Sequence, residues 1–200
     1  MTLSMFKHLP LPENPPASAE DAVLSARQLL KTLGIAGANV SLEKPAAQPG
    51  GLIGAALQAA LPIRALEALA HQAATNAAAE QGVKVTQTLL TLQQAGENRL
   101  HLSLRVEAKI FGGTVQIGVE GHIAPENGTH LRFSGFQMEG GGGIFGGIAG
   151  AMIRPKLNEL EAAPLDLQRL AGVPLELTQL KSEEDNLVLF GAFIEPRLLP

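Results

Sequence analysis

The chain contains no cysteine, no tryptophan and no tyrosine, so phenylalanine, at seven positions, supplies every large aromatic side chain. The absence of cysteine excludes a disulfide scaffold and a thiolate-bound metal. With so few large rings, the interior has to consist of aliphatic and small side chains. Such an interior can either interlock closely or leave a lumen, and composition alone does not decide between the two.

Concentrated positive charge is also missing. The 15 lysines and arginines are outnumbered by 19 aspartates and glutamates, which gives a formal net charge of −4, and they are scattered along the chain. A nucleic-acid-binding surface needs clustered basic residues to neutralise phosphates. We therefore expect no nucleic-acid partner.

Long apolar runs are absent as well. No stretch approaches the roughly 20 consecutive apolar residues that span a bilayer, and the first residues lack the charged start and apolar run of a signal peptide. We therefore expect a cytoplasmic protein. Ile144, Phe145, Ile148 and Met152 follow a glycine tract, and they would suit either core packing or a peripheral membrane contact.

Two alternating segments occupy the centre of the chain. Apolar and polar residues alternate over 100–110 and again over 115–123, with Gly112-Gly113 between them. Alternation with a period of two is typical of a strand with one buried face, and a glycine pair suits a two-residue hairpin turn. With Phe111 opposite Thr114, the predicted pairs are Ile110–Val115, Ala108–Ile117, Val106–Val119, Leu104–Gly121 and Leu102–Ile123 on the apolar face, and Lys109–Gln116, Arg105–Glu120 and Ser103–His122 on the polar face.

The hairpin belongs to a predicted meander of four strands. Residues 83–94 form a strand that enters it through a turn at Gly96, and a loop over 126–128 leads to another strand in which Leu131 lies opposite Ile123. The apolar positions change parity after Gly135, which predicts a β-bulge there.

Helices and a second hairpin flank the meander. The proline-rich residues 1–17 indicate an extended or disordered segment, and residues 18–200 indicate a single domain.

We predict an α+β fold, because consecutive antiparallel strands rather than βαβ units dominate the pattern. The predicted elements are a helix over 19–33 capped by Ser18 and Asp21, a short strand over 39–43, an alanine-rich stretch over 52–81 with its main helix starting or kinking at Pro62 and ending at Gly82, a helix over 144–163, and a hairpin of strands 175–181 and 187–194.

Histidine and serine residues are the only candidates for chemistry on the polar face. The predicted register brings His101, His122 and His130 to one end of the sheet, where they could bind a divalent metal or respond to pH. Backbone spacings of about 7 Å between diagonal neighbours favour solvated surface residues instead. Ser103 opposite His122 lacks an oxyanion hole and an orienting acid, so we expect no catalysis. Given the histidine spacings, we also expect no metal, and we expect no cofactor.

Residues 62–194 resemble the small bacterial LmeA-like members of the tubular lipid-binding (TULIP) superfamily. The resemblance lies in the helix before the meander, the strand pair 100–110 and 115–123, the segment Gly128-Thr129-His130-Leu131-Arg132-Phe133, the helix around 148–160 and the ending with Leu165-Asp166-Leu167, Gly172-Val173-Pro174-Leu175 and Leu187-Val188-Leu189. It implies a curved antiparallel meander and a C-terminal hairpin wrapped around a long alanine-rich helix, with lipid held in an apolar trough and no catalysis.

The trough that this resemblance implies lies between the apolar face of the meander and the helix before it. An alternative is a structural or protein-interaction module in which the same face is filled by the protein's own side chains. An enclosed apolar cavity of several hundred Å³ is typical of a binder and would distinguish the two. The implied lining consists of Leu66, Leu69, Leu102, Leu104, Val106, Ala108, Ile110, Val115, Ile117, Val119, Leu131 and Phe133.

Overall fold

The computed structural model describes residues 18–43, 56–79, 82–110, 113–140, 144–166 and 175–193. The predicted extended or disordered segment 1–17 lies outside these residues. In chain order the elements are α1 (Ala19–Thr32), β1 (Asn39–Glu43), β2 (Ala56–Pro62), α2 (Ile63–Ala79), β3 (Lys84–Gly96), β4 (Arg99–Ile110), β5 (Gly113–Glu126), β6 (His130–Gly140), α3 (Ile144–Ala162), β7 (Leu165–Asp166), β8 (Leu175–Glu183) and β9 (Asn186–Phe193).

Two antiparallel sheets confirm the predicted α+β class. The larger sheet has five strands in the order β3-β4-β5-β6-β7 and curls into a half-barrel, and the smaller sheet has four strands in the order β1-β2-β9-β8. The four-stranded meander β3–β6 and the hairpin β8–β9 were both predicted. The hairpin does not extend the meander, because β9 pairs with β2 instead.

The register of the central hairpin differs from the predicted one by two residues. Val115 lies opposite Ala108 rather than Ile110, and Leu100 lies opposite Ile123. Because side chains alternate with a period of two, a shift of two residues leaves every side chain on its predicted face. The apolar and polar faces are therefore as predicted, but each predicted cross-strand pair is wrong.

The same shift changes the polar pairs. Arg105 lies opposite Gly118 rather than Glu120, and Ser103 lies opposite Glu120 rather than His122. The ion pair and the serine–histidine pair that the sequence suggested are thus not formed by direct neighbours. The alternation pattern could not reveal this, since both registers match apolar residues with apolar ones.

The pairing of β5 with β6 shows a second shift of two residues and confirms the predicted bulge. Ile123 lies opposite Phe133, where the sequence predicted Leu131. The register shifts between Glu120 and His122, and Gly135 on β6 has a φ of +66°, which suits glycine in a bulge. The bulge turns Phe136 onto the apolar face, where its ring covers Gly121.

The ends of the helices agree with the sequence signals. Ser18 caps α1 by accepting a hydrogen bond from the backbone N–H of Asp21 at 3.1 Å. Helix α2 begins directly after Pro62, and its end is closed by Gly82 at a φ of +67° with a bond from the Val83 N–H to the Ala78 carbonyl. This is the glycine-closed helix end that the sequence predicted.

The sequence analysis missed two strands, the two-residue β7 and the longer β2. Residues 56–62 were assigned to an alanine-rich stretch before the helix, but they form the strand between β1 and β9. Alanine carries little strand preference of its own. The strand forms because β1 on one side and the distant β9 on the other satisfy its backbone.

The main core lies between the two sheets, at the end of the meander that carries the β3–β4 and β5–β6 turns. Leu100 on β4 and Leu180 on β8 are both fully buried, and they belong to one cluster with Leu92, Ile123 and Leu131. A smaller cluster of Ala22, Val23, Val40 and Leu57 packs α1 against the smaller sheet.

Candidate functional site

The apolar face of the five-stranded sheet is the candidate site. This face is the side that carries the even-numbered residues of β4 and the odd-numbered residues of β5, and it continues onto β3 and β6 through their paired positions. The nine strand residues of the predicted lining whose side chains the structure describes all lie on it, so the structure brings them together on one surface.

One end of the apolar face is filled by the smaller sheet. Leu66 and Leu69 of α2, together with Leu102 and Phe133, pack against the core cluster that contains Leu100. This end therefore resembles an ordinary protein interior.

Away from the filled end, the helices lie at the sides of the sheet. Helix α2 packs along the outer strand β3, and α3 packs along β6 with a smaller contact to β5. The lining between them is only partly covered: Leu104, Val106, Val115 and Ile117 are half-buried. Of the other predicted lining residues, Ala108, Val119 and Leu131 are buried, Leu66, Leu69, Leu102 and Phe133 are half-buried, and the side chain of Ile110 lies outside the described part of the structure.

A polar seam joins α2 to the edge of β3. We use this name for Glu67 and His71 of α2 with Thr88 and Leu90 of β3. The Glu67 carboxylate accepts a hydrogen bond from the Leu90 N–H at 2.9 Å, and the His71 Nδ1 lies 3.0 Å from the Thr88 hydroxyl. Four helical residues rise about 6 Å and two strand residues about 6.6 Å, so successive turns of α2 meet alternate residues of β3.

Helix α3 protects the opposite edge in the same way. The Glu161 carboxylate accepts a hydrogen bond from the Phe136 N–H at 2.8 Å, and the Glu161 carbonyl accepts one from Arg132 at 3.4 Å. Exposed edge strands carry unpaired backbone groups that invite association with other strands. A helix carboxylate on each side satisfies one such group and fixes each helix at the sheet's rim.

The turns of the larger sheet hold the smaller sheet in place. The Asn98 side chain accepts a hydrogen bond from the Leu180 N–H at 3.1 Å and donates one to the Thr178 carbonyl at 3.4 Å. The Gln94 side chain accepts one from the Ser182 N–H at 3.2 Å. These amides take the place of a neighbouring strand along the edge of β8, so they close one end of the apolar face.

The sequence analysis did not find these supporting residues, although it contained a signal for some of them. Glu67 stands within the apolar stripe of α2, beside Ile63, Leu66 and Ala70, and Glu161 follows Leu160 at the end of α3. A carboxylate at an apolar helix position indicates a buried partner. For Asn98 and Gln94 there is no such signal, because their partners lie 80 to 88 residues away.

On the polar face, two histidines lie side by side. His101 and His122 are directly opposite each other on β4 and β5, with ring centroids 5.5 Å apart, and the His101 Nε2 lies 3.7 Å from the Glu120 carboxylate. His130 is elsewhere, opposite Glu126 and next to the Thr129 hydroxyl at 2.7 Å. The predicted cluster of three imidazoles is therefore a pair.

The electrostatics of His122 disfavour its charged form. Burial lowers its pKa below the ordinary value of 6.5, and the neighbouring charges of Arg99 and His101 lower it further. The buried Nδ1 of His122 has no hydrogen-bond partner, so a proton there would be left unsatisfied. Within the part of the chain that the structure describes, no three His, Asp or Glu side chains converge well enough to hold a metal ion.

Two grooves of about 380 Å³ lie in the described part of the structure. One is around Gly118, with Arg105 and Glu139 beside it, and its lining also includes Val106 and Ile117. The other lies at the carboxyl end of α1, where Arg27 and Lys31 line it. The enclosed apolar cavity expected from the sequence stays a prediction.

Comparison with known proteins gives no family for this chain. No family model, no curated protein and no solved structure matches it. Among the helices that the structure describes, none is both long enough and apolar enough to cross a membrane. These comparisons therefore assign no function to the chain.

Proposed function

We propose that the apolar face binds a lipid or another long apolar ligand without catalysis. The observation that carries the proposal is the half-buried state of Leu104, Val106, Val115 and Ile117, which lie at the centre of the sheet with helices along both rims. In a filled core such side chains would be fully covered. A guest chain lying along β4 and β5 would cover them.

The free energy of such binding would come from apolar contact. Each methylene group that leaves water contributes about 0.8 kcal/mol, so an acyl chain needs only several methylenes in contact to offset the loss of its own freedom. Small side chains on α2, including Ala70 and Ala73, would leave space for such a chain beside the face. The ligand that suits the apolar face and the small side chains of α2 is therefore long, flexible and apolar.

The resemblance to the TULIP superfamily agrees with this proposal. The curled sheet is compatible with a TULIP-like half-barrel. The proposal also includes the arrangement in which the sheet wraps around the alanine-rich helix α2. A peripheral membrane contact through Ile144, Phe145, Ile148 and Met152 remains part of it. The side chains of these four residues lie outside the described part of the structure.

Uptake of a fluorescent long-chain fatty acid by the purified protein tests the proposal. We expect saturable binding at one site, and we expect lipid in an organic extract of the protein as isolated. The variants Val106→Phe and Ile117→Phe should reduce binding, since each would place a ring where the guest chain lies.

The matched control is Gln93→Phe, which adds the same ring on the exposed polar face of the neighbouring strand β3. It should bind as the unaltered protein does. If neither extraction nor titration detects an apolar ligand, the alternative is favoured, in which the face is a structural or protein-interaction surface filled by the protein's own side chains.

A further inference from the structure

A row of four residues crosses the polar face of the larger sheet at the level of Gly118. Leu89 on β3 lies opposite Arg105 on β4, Arg105 lies opposite Gly118 on β5, and Gly118 lies opposite Glu139 on β6. All four point to the same side of the sheet, because directly paired residues share a face. Glycine has no side chain, so it leaves a gap between the arginine and the glutamate.

This gap is the floor of the groove of about 380 Å³ around Gly118. We call it the Gly118 slot and define it by Arg105, Gly118 and Glu139. Strands lie about 4.8 Å apart, so the backbones that carry the two charged side chains are separated by about 9.6 Å. This distance allows the side chains of Arg105 and Glu139 to extend away from the sheet with a small molecule between them.

The two charges are not used within the described part of the structure. Neither Arg105 nor Glu139 takes part in any of the ion pairs found there, and neither side chain forms a hydrogen bond to another described residue. The neighbouring Glu107 differs, since Thr86 and Gln116 both hydrogen-bond to its carboxylate, at 3.1 and 3.2 Å. Beside the slot, the Glu107 carboxylate is thus already hydrogen-bonded. The charges of Arg105 and Glu139 have opposite signs and are unpaired among the described residues.

We infer that the Gly118 slot binds a small zwitterion, whose anionic group contacts Arg105 and whose ammonium group contacts Glu139. A charge-assisted contact spans about 2.8 Å between heavy atoms, and the two charged groups of an α-amino acid are about 2.5 Å apart across its central carbon. Two contacts and the ligand together span about 8 Å, which fits between side chains rising from backbones about 9.6 Å apart.

A free amino acid and the headgroup of a zwitterionic phospholipid both present this pair of charges. The site lies on the opposite face of the sheet from the proposed apolar site, so the two proposals are independent. Loss of fatty-acid binding would leave the slot unaffected, and an empty slot would leave fatty-acid binding unaffected.

Titration of the isotope-labelled full-length protein, followed through the backbone amide signal of Gly118 by NMR, tests the inference. The probes are glycine, its separate halves acetate and methylammonium, and micelles of a short-chain phosphatidylethanolamine. We expect saturable shifts with glycine at concentrations where acetate and methylammonium give none. Shifts with phosphatidylethanolamine and not with glycine would assign the same site to a headgroup.

Charge variants supply the decisive comparison. Arg105→Gln and Glu139→Gln should each weaken zwitterion binding by about tenfold or more, because each removes one charge-assisted contact. Arg105→Glu combined with Glu139→Arg should restore binding, since a zwitterion can turn round. Lys109→Gln, which removes a positive charge from the same strand and face, should have little effect.

Three results would overturn the inference: acetate binding as well as glycine, which would indicate a simple anion; no recovery in the charge-swapped variant; or no saturable shift with any probe. Gly118→Ala provides a steric check that should fold normally, because the added Cβ would lie 3.5 Å from the Glu139 Cβ, an ordinary contact. This variant narrows the slot and should weaken binding.

Discussion

Gly121 and Gly118 are three residues apart on β5 and lie on opposite faces of the sheet, and the two faces place different demands on them. At Gly121 a Cβ would lie 2.5 Å from the Phe136 ring, whereas at Gly118 it would have ordinary contact distances. The glycine on the apolar face is therefore required by close packing, and the glycine on the polar face is not.

Gly121→Ala should destabilise the protein by about 1–3 kcal/mol, because the ring of Phe136 has to move away from a well-packed position. Gly118→Ala is the matched control on the same strand and should change stability by less than about 1 kcal/mol. Urea unfolding of both variants measures the difference. Equal stability of the two would show that Phe136 does not cover Gly121 in solution.

His122 should make the stability of the protein depend on pH. Its pKa is lowered in the folded state, chiefly by burial and then by Arg99 and His101, so the unfolded chain binds its proton more readily. The contribution of this group to stability is fully present above pH 6.5, the ordinary pKa, and is lost as the pH falls below it.

The free energy of unfolding, measured from pH 7.5 to pH 5 by urea titration, should therefore fall less steeply in His122→Gln than in the unaltered protein. Ser134→Ala, which alters the residue opposite His122 without removing a titrating group, should keep the original slope. An unchanged slope in His122→Gln would contradict this account of the histidine pair.

At the scale of elements, the helices are joined to the sheet by polar contacts as well as by apolar packing. Glu67 holds α2 to the edge of β3 through the Leu90 N–H, and Glu161 holds α3 to β6 through the Phe136 N–H. These contacts explain why the apolar stripes of both helices contain a carboxylate. They also keep the helices at the rims of the sheet.

Glu67→Leu should cost about 1–3 kcal/mol, because the part-buried Leu90 N–H loses its acceptor. Hydrogen exchange of the Leu90 amide should accelerate, while that of Phe136 should not. Glu67→Gln, whose amide oxygen can still accept the bond, should restore most of the protection. If Leu90 exchanges at the same rate in Glu67→Leu, the polar seam does not hold the helix.

The fold was predictable where its causes are local. Alternation determined the faces of β3 to β6, Ser18 and Gly82 marked the helix ends, and Gly135 marked the bulge. The register and strand β2 were not predictable, because apolar residues match in registers two apart and because β9, one of the two partners of residues 56–62, lies far away in the chain.

For the whole molecule, the relation between the two sheets determines how much of the apolar face remains uncovered. The smaller sheet closes one end through Asn98 and Gln94, which bind the edge of β8. Alternation predicted the face on which the strand residues of the candidate site lie, and the resemblance implied that this face holds a ligand. The extent of their exposure was not predictable, since it depends on helices and turns whose contacts are not encoded locally.

Asn98→Ala should loosen the contact between the sheets. It removes an acceptor from the Leu180 N–H and a donor from the Thr178 carbonyl, which should lower stability by about 1–3 kcal/mol. Thermal unfolding of the variant measures this loss. Asn98→Asp, which keeps the acceptor, should lose less, and equal losses in the two variants would mean that the bond to Leu180 does not contribute.

The most direct test of the proposed apolar site is methyl NMR with a stearate that carries a nitroxide near its chain end. The nitroxide broadens signals close to it, so we predict broadening of the methyl signals of Leu104, Val106, Val115 and Ile117, with little change at Leu89 on the polar face. Absence of broadening at these four residues, or equal broadening on both faces of the sheet, would contradict the account.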